Sequence, residues 1–278
     1  MPEGDTIYRS ARALDKALRG RVVTAFRAEY AQLAAADDQS PVAGHTVERV
    51  EARGKWLLIH FTNDLVLLTH MLMSGSWHLY RTGEKWQLPA RRARLVLETD
   101  KFVAVGFDVP VAEFHTTQSL ARHRAVPNLG PDVLAETFSE DNAMQRIAAQ
   151  KHEEIGNVLL DQRVLAGLGN VYKSEVCFAA KVHPFRKVAT LSAAELADIA
   201  AFARRYMKAN ITSGSSGQIV TYTGMRRTTG SSDEDARLWV YGRRSSPCRR
   251  CGTPIESRKQ GLGARTTFWC PQCQPISG

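Results

Sequence analysis

The chain has 278 residues, 44% of them hydrophobic, enough to bury a real core and to divide into two domains with a small appendage. Its formal charge of +9 and pI near 9.5 favour a polyanionic partner. No run of about 18 apolar residues exists, and Glu3 and Asp5 stand where a signal peptide would be basic and then apolar, so neither membrane nor export is expected and the chain is assigned to the cytoplasm or nucleoid.

The opening MPEGDTIYRSARALDKALRG predicts a helix, with Ile7, Ala11, Leu14 and Leu18 on its buried face and Gly20 at its end. The small residue at position 2 lets the initiator Met be removed, which leaves Pro2 with a free secondary amine, a good nucleophile for an aldehydic carbon. Glu3 beside it can donate a proton if burial raises its pKa. Pro and Glu also suit the first turn of any helix, so the pair alone does not decide. From residue 21 to about 120 the pattern turns to short strands, at 22–26, 56–61, 65–69, 77–80, 94–98 and 102–107, as in a β-sandwich. Lys55 precedes the second of these in Arg53-Gly54-Lys55-Trp56, and His70-Met71-Leu72-Met73-Ser74-Gly75 forms a loop with three large apolar side chains.

Residues 115–131 are polar, with two prolines and a glycine, and read as an interdomain linker. Helical patterns follow at 135–151, 159–178 and 193–211. Within LLDQRVLAGLGNVYKSEVCF, Leu159, Leu160, Val164 and Leu165 recur at helical spacing, Gly167 and Gly169 break it, and Val171, Glu175 and Phe178 resume it: helix, turn, helix. Gly169 and Asn170 then begin the second helix, where backbone N–H groups and the helix dipole would receive a phosphate oxygen and Asn170 could add its amide donors. An ordinary hairpin with Asn170 as a helix cap fits this stretch equally well. GLGNVY fails as a dinucleotide fingerprint, because Tyr172 stands where the third glycine belongs and a helix precedes it. Residues 210–235, rich in Gly, Ser and Thr, suggest a mobile loop.

The tail carries the most specific signal. Cys248 and Cys251 form one CxxC and Cys270 and Cys273 another, 18 residues apart, a spacing suited to one structural Zn2+ held by four thiolates. With so small a core the tail would hardly fold without the metal. Between Arg243 and Gly278 there are seven Lys or Arg against one acid, Glu256. Residues 261–269 read as a hairpin tip and return strand bearing Arg265. The fifth cysteine, Cys177, reads as a buried helix residue, and none of the eight histidines forms a metal or triad pattern.

DQRVLAGLGNVYKSEV resembles the helix-two-turn-helix element of the formamidopyrimidine-DNA glycosylase and endonuclease VIII family. PEGDTIY resembles the N-terminal signature of its endonuclease VIII branch, in which the mature proline is the nucleophile and the adjacent glutamate the general acid. The resemblance implies that Lys55, in GKWLLIHF, contacts the lesion phosphate and assists elimination. It implies that Leu72 and Met73 enter the space left by an everted base, that Asn128 and Asn170 touch DNA, and that 210–235 is the lesion-recognition loop. It makes Arg265, in GARTTFWCPQCQ, the zinc-finger arginine that binds lesion phosphates and helps the final elimination. The Asp-Pro-Arg-Arg-Phe-Gly element of the oxidised-purine branch is replaced here by Phe107-Asp108-Val109-Pro110, which favours oxidised pyrimidines.

The expectation is therefore an α+β chain: a β-sandwich catalytic domain with an N-terminal helix (1–120), a linker (121–131), a helix-two-turn-helix DNA-binding domain (132–242) and a four-cysteine zinc-finger hairpin (243–278). It would act on damaged DNA as a monomer without a small-molecule cofactor, excising oxidised bases and cutting by β,δ-elimination. Two rivals stand beside it: a zinc-finger protein that binds damaged DNA without cutting, and a lyase acting only on abasic sites.

Overall fold

In the computed structural model, which describes residues 2–212, 219, 221 and 237–276, α1 (Gly4–Leu18) forms where the first residues predict it. Its apolar face, Ile7, Ala11, Leu14 and Leu18, is buried against β2 (Val47–Arg53) and β3 (Trp56–Phe61). Gly20 takes a positive φ of 75° as the chain leaves the helix, a conformation that costs glycine little. Two antiparallel four-stranded sheets follow. One has the order β1 (Val23–Ala28), β6 (Ala93–Thr99), β7 (Phe102–Phe107), β5 (Ser76–Arg81); the other runs β2, β3, β4 (Leu65–His70), β8 (Val111–His115). Their inner faces, with Phe26, Leu95 and Leu97 from one and Leu57, Ile59 and Leu67 from the other, share a core with α1, so the expected sandwich is present.

The sequence reading missed β2, β8 and the helix α2 (Ala31–Gln39) here. It also took 121–131 for a polar connector. Leu120, at the end of α3 (Thr117–Leu120), and Val126, in a 3₁₀ turn over Val126–Asn128, instead pack on Leu58, Val66 and Leu68, the outer face of the second sheet.

The chain falls into two compact units, Met1–Asn128 and Leu129–Gly278, the second holding both the helices and the cysteine hairpin. Its helices are α4 (Glu140–Ala148), α5 (Ile155–Val158), α6 (Asn170–Ala179) and α7 (Ala193–Thr212). The first arm of the expected helical hairpin is therefore short. Leu159, Val164 and Leu165 are buried, but residues 159–169 form turns, closed by Val164 and Leu165 N–H groups donating to the Asp161 carbonyl at 2.9 and 3.1 Å. Gly130 lies so close under this turn that a methyl group there would strike the Val164 carbonyl. The hairpin β9 (Glu256–Gln260) and β10 (Arg265–Trp269) closes the unit, and Phe178 of α6 packs with Val240, Cys248, Ile255 and Cys270 at its base.

Candidate active site and nucleic-acid interface

In the N-terminal unit, Pro2 is half-buried and leads into Glu3, the N-cap of α1, whose carbonyl accepts from the Thr6 and Ile7 N–H groups at 3.0 and 3.1 Å. Glu3 is fully buried. Asp5, also buried, pairs with Arg9 one turn on at 3.3 Å.

Lys55 occupies the two-residue turn between β2 and β3, where Gly54 adopts a φ of 59°. The β3–β4 register sets Trp56 opposite His70, their rings edge to face at 4.7 Å. Burial, with the Lys55 charge adding to it, pushes the His70 pKa down to about 4, and His70 Nδ1 accepts from the Leu72 N–H at 3.0 Å. At neutral pH His70 is thus an uncharged ring whose proton sits on Nε2, a fixed donor beside Lys55. The sequence reading passed over His70, because only the strand register places it there.

The loop after His70 divides its three apolar residues. Met71 is 1% exposed and anchors the core, whereas Leu72 and Met73 are 48% and 57% exposed. Leu72 takes a φ of 44°, and Gly75 closes the turn by donating to the Met71 carbonyl at 2.8 Å. A Cβ on Gly75 would lie 2.8 Å from that carbonyl oxygen and 3.0 Å from Val109 Cα, so the turn admits no larger residue without shifting. Asn128 is exposed and donates its side-chain amide to the Arg124 carbonyl at 3.0 Å.

Glu113, His115 and His123 also gather, with one potential ligand atom from each within 4.8 Å of the others. Ala125 and Val126 N–H groups donate to His123 Nδ1 at 3.2 and 3.1 Å, so its proton sits on Nε2, turned toward Glu113 Oε2 at 3.6 Å. That arrangement is a hydrogen-bonded cluster, because a metal would need the Nε2 lone pair.

In the second unit, Gly169 is the N-cap of α6 and Asn170 its first residue. Asn170 is therefore not the cap. It is 7% exposed, and its Nδ2 donates to the Thr266 carbonyl at 2.9 Å, joining the helix start to the strand that begins with exposed Arg265. One amide donor expected for a phosphate is thus committed to the protein. Farther along α6, fully buried Glu175 accepts from the N–H groups of Trp239, Val240 and Tyr241 at 2.8 to 2.9 Å and from the Thr221 hydroxyl. Burial raises its pKa against these four donors. Of the stretch expected to form a recognition loop, residues 213–218, 220 and 222–235 lie outside the described residues.

The four tail cysteines converge, all Sγ atoms lying within 4.8 Å of one another, with Cys248 3.9 Å from Cys273 and Cys251 3.5 Å from Cys270. Burial, then the neighbouring thiols, pushes the Cys270 and Cys273 pKa values up, the crowding that a shared cation converts into four thiolate bonds. These residues fit one structural zinc.

Residues 1–110 match the formamidopyrimidine-DNA glycosylase N-terminal domain, 129–221 the formamidopyrimidine-DNA glycosylase H2TH domain, and 245–276 the zinc finger found in FPG and IleRS. The chain is 39% identical over 277 residues to a probable endonuclease 8 2 of Streptomyces coelicolor, covering 99% of this chain and 94% of that one. The chain belongs to the formamidopyrimidine-DNA glycosylase and endonuclease VIII family. Other family members include the DNA-(apurinic or apyrimidinic site) lyase Nei2 of Mycolicibacterium smegmatis, 35% identical with both chains covered completely. Endonuclease 8 of Escherichia coli is 32% identical, over 99% of this chain and 100% of its own. The family fold is also that of Lactococcus lactis formamidopyrimidine-DNA glycosylase bound to abasic-site DNA, with a TM-score of 0.80 at 23% identity over 99% of this chain and all of that one.

Proposed function

We propose that this DNA glycosylase and abasic-site lyase of base excision repair excises oxidised pyrimidines through a Schiff base on Pro2 and then cuts the strand by β,δ-elimination. The observation that carries the reading is the fully buried Glu3 carboxyl directly after Pro2 at the start of α1. With Met1 removed, the Pro2 nitrogen attacks C1′ of the damaged nucleotide and the glycosidic bond breaks with loss of the base. Glu3 protonates the ring oxygen so that the sugar opens to an iminium. The iminium acidifies the C2′ proton; its loss expels the 3′ phosphate, and a second elimination expels the 5′ phosphate.

Lys55, with uncharged His70 beside it, is assigned to the lesion phosphate, and exposed Leu72 and Met73 to the space left by the everted base. Arg265 is assigned to the lesion phosphates from the zinc-finger side, where it assists their elimination, and Asn128 to the DNA backbone. The pyrimidine preference is supported by the turn after β7, where Asp108 is held by Arg92 and Val109 is fully buried. A double arginine reaching from that turn, the mark of the oxidised-purine branch, is absent from the sequence. The chain is proposed to act as a monomer in the cytoplasm or nucleoid, and no described helix is long and apolar enough to cross a membrane.

Borohydride trapping on a panel of duplexes tests the reading: a covalent adduct is expected with an oxidised pyrimidine and with an abasic site, and less with an oxidised purine. A protein that binds damaged DNA without cutting gives no adduct, and one acting only on abasic sites traps there alone. The clamp at α6 gives a second expectation. Asn170→Ala should weaken binding to damaged and undamaged duplexes alike, by about tenfold, since a phosphate contact positions DNA without reading a base. Titration of both duplexes checks this, and a variant with altered lesion preference at intact general affinity contradicts the assignment.

A further inference from the structure

α6 and the β9–β10 hairpin meet through buried polar groups rather than through apolar packing alone. Lys173 lies three residues after Asn170 and is fully buried, an uncommon place for an ammonium group. Its Nζ donates to the Thr267 hydroxyl at 2.5 Å, that hydroxyl donates to Gln260 Oε1 at 2.8 Å, and Gln260 Nε2 donates to Glu154 Oε2 at 2.8 Å and to the Pro184 carbonyl at 2.9 Å. Every donor in the chain points the same way, from ammonium to carboxylate, so each bond polarises the next.

The pairing register gives this relay a consequence for Arg265. Gln260 is its cross-strand partner, and Thr267 lies two residues farther along the same strand, on the same face. The relay therefore holds both of the positions that flank Arg265 on that face of the hairpin. Gly156 packs against the Gln260 amide so closely that a methyl group there would collide with it, which leaves the amide one seat. A separate tie between helix and hairpin is the Asn170 amide, which donates to the Thr266 carbonyl.

We propose that Lys173 is a positioning residue, whose buried hydrogen-bond relay through Thr267 and Gln260 to Glu154 sets Arg265 at a fixed place relative to the start of α6. The inference rests on the lyase reading above, in which Arg265 assists elimination at the lesion phosphates. Lys173 is not assigned to the substrate and acts through the hairpin. An ammonium is used because hydroxyl and amide links alone would leave the relay without a charged donor at its buried end, and charge-assisted bonds hold geometry more tightly.

The test is a double-mutant cycle on the zinc-loaded protein. Single-turnover cleavage of an abasic duplex is measured for wild type, Lys173→Met, Arg265→Ala and the double variant, with zinc content and thermal melting recorded for each. Lys173→Met should retain its zinc and slow elimination by about tenfold to a hundredfold, with a smaller change in the DNA concentration for half-saturation, and Lys173→Arg should recover part of the rate. In the Arg265→Ala background the same substitution should change the rate less than twofold. An equal slowing in both backgrounds, or no slowing of Lys173→Met in the wild-type background, overturns the proposal. Should Lys173→Met lose its zinc, Thr267→Val, which breaks the relay with almost no change of volume, takes its place under the same criteria. Wild-type protein that neither cleaves nor traps would refute the lyase reading instead, so the two failures are distinct.

Discussion

Pro2→Gly, or retention of Met1, should lower borohydride trapping on both damaged-base and abasic duplexes by at least about a hundredfold, within the range that loss of a covalent nucleophile costs. The reason lies in the amine. A secondary amine forms an iminium that is positively charged with no N–H proton to lose, so the electron sink for elimination persists at any pH. Glycine gives an imine that is charged only while protonated, and an unprocessed Met1 turns the Pro2 nitrogen into an amide with no nucleophilic lone pair. Glu3 has a separable task, since an abasic aldehyde has already lost its base. Glu3→Gln should therefore reduce base excision by about 10²- to 10⁴-fold while sparing part of the cleavage at abasic sites. Mass spectrometry of the reduced adduct should place it on the N-terminal peptide. An adduct on Lys55 or another lysine, or full activity with Met1 retained, would remove Pro2 from the mechanism.

Parts of this arrangement could be read from residues alone because their causes are local. The nearly continuous apolar runs of β3 and β7 marked both strands at their full observed extent, and the paired CxxC motifs named four ligands that the structure gathers. Where the cause is tertiary, the sequence misled. β2, VERVEAR, fully buries only Val47 and Val50 and so has the composition of a solvated loop; its strand character comes from pairing with β3. β8 is half-buried at every position and offers no alternation at all. Leu159, Val164 and Leu165 kept helical spacing because all are buried, yet they sit in turns that are stabilised by contacts with residues around Gly130. Asn170 is the sharpest case: its Nδ2 partner, the Thr266 carbonyl, is 96 residues away, and nothing in GLGNVY hints at it. His70 and Lys173 were missed for the same reason, since a cross-strand neighbour and a buried ammonium both depend on register.

The zinc site shows how much of the second unit hangs on one metal. Phe178 of α6, Ile255 and two of the ligands, Cys248 and Cys270, form a single buried cluster, so the hairpin core and the helix that begins at Asn170 are continuous. Four thiolates around Zn2+ contribute about 10–16 kcal/mol of apparent binding energy in small zinc domains, more than the few apolar side chains of this tail can supply. Cys273→Ser should therefore bind less than one zinc per chain, expose Phe178 and Ile255, and lower affinity for every DNA duplex by more than about tenfold, because Arg265 and the Thr266 carbonyl leave their places together. Chelation of the wild-type protein should do the same, and restoring zinc should restore binding to the wild type but not to the variant. The N-terminal unit has its own sandwich core and should keep its melting transition. Metal analysis with a binding titration decides the matter: a folded, zinc-free protein with undiminished DNA affinity would show that the hairpin holds its shape without the metal.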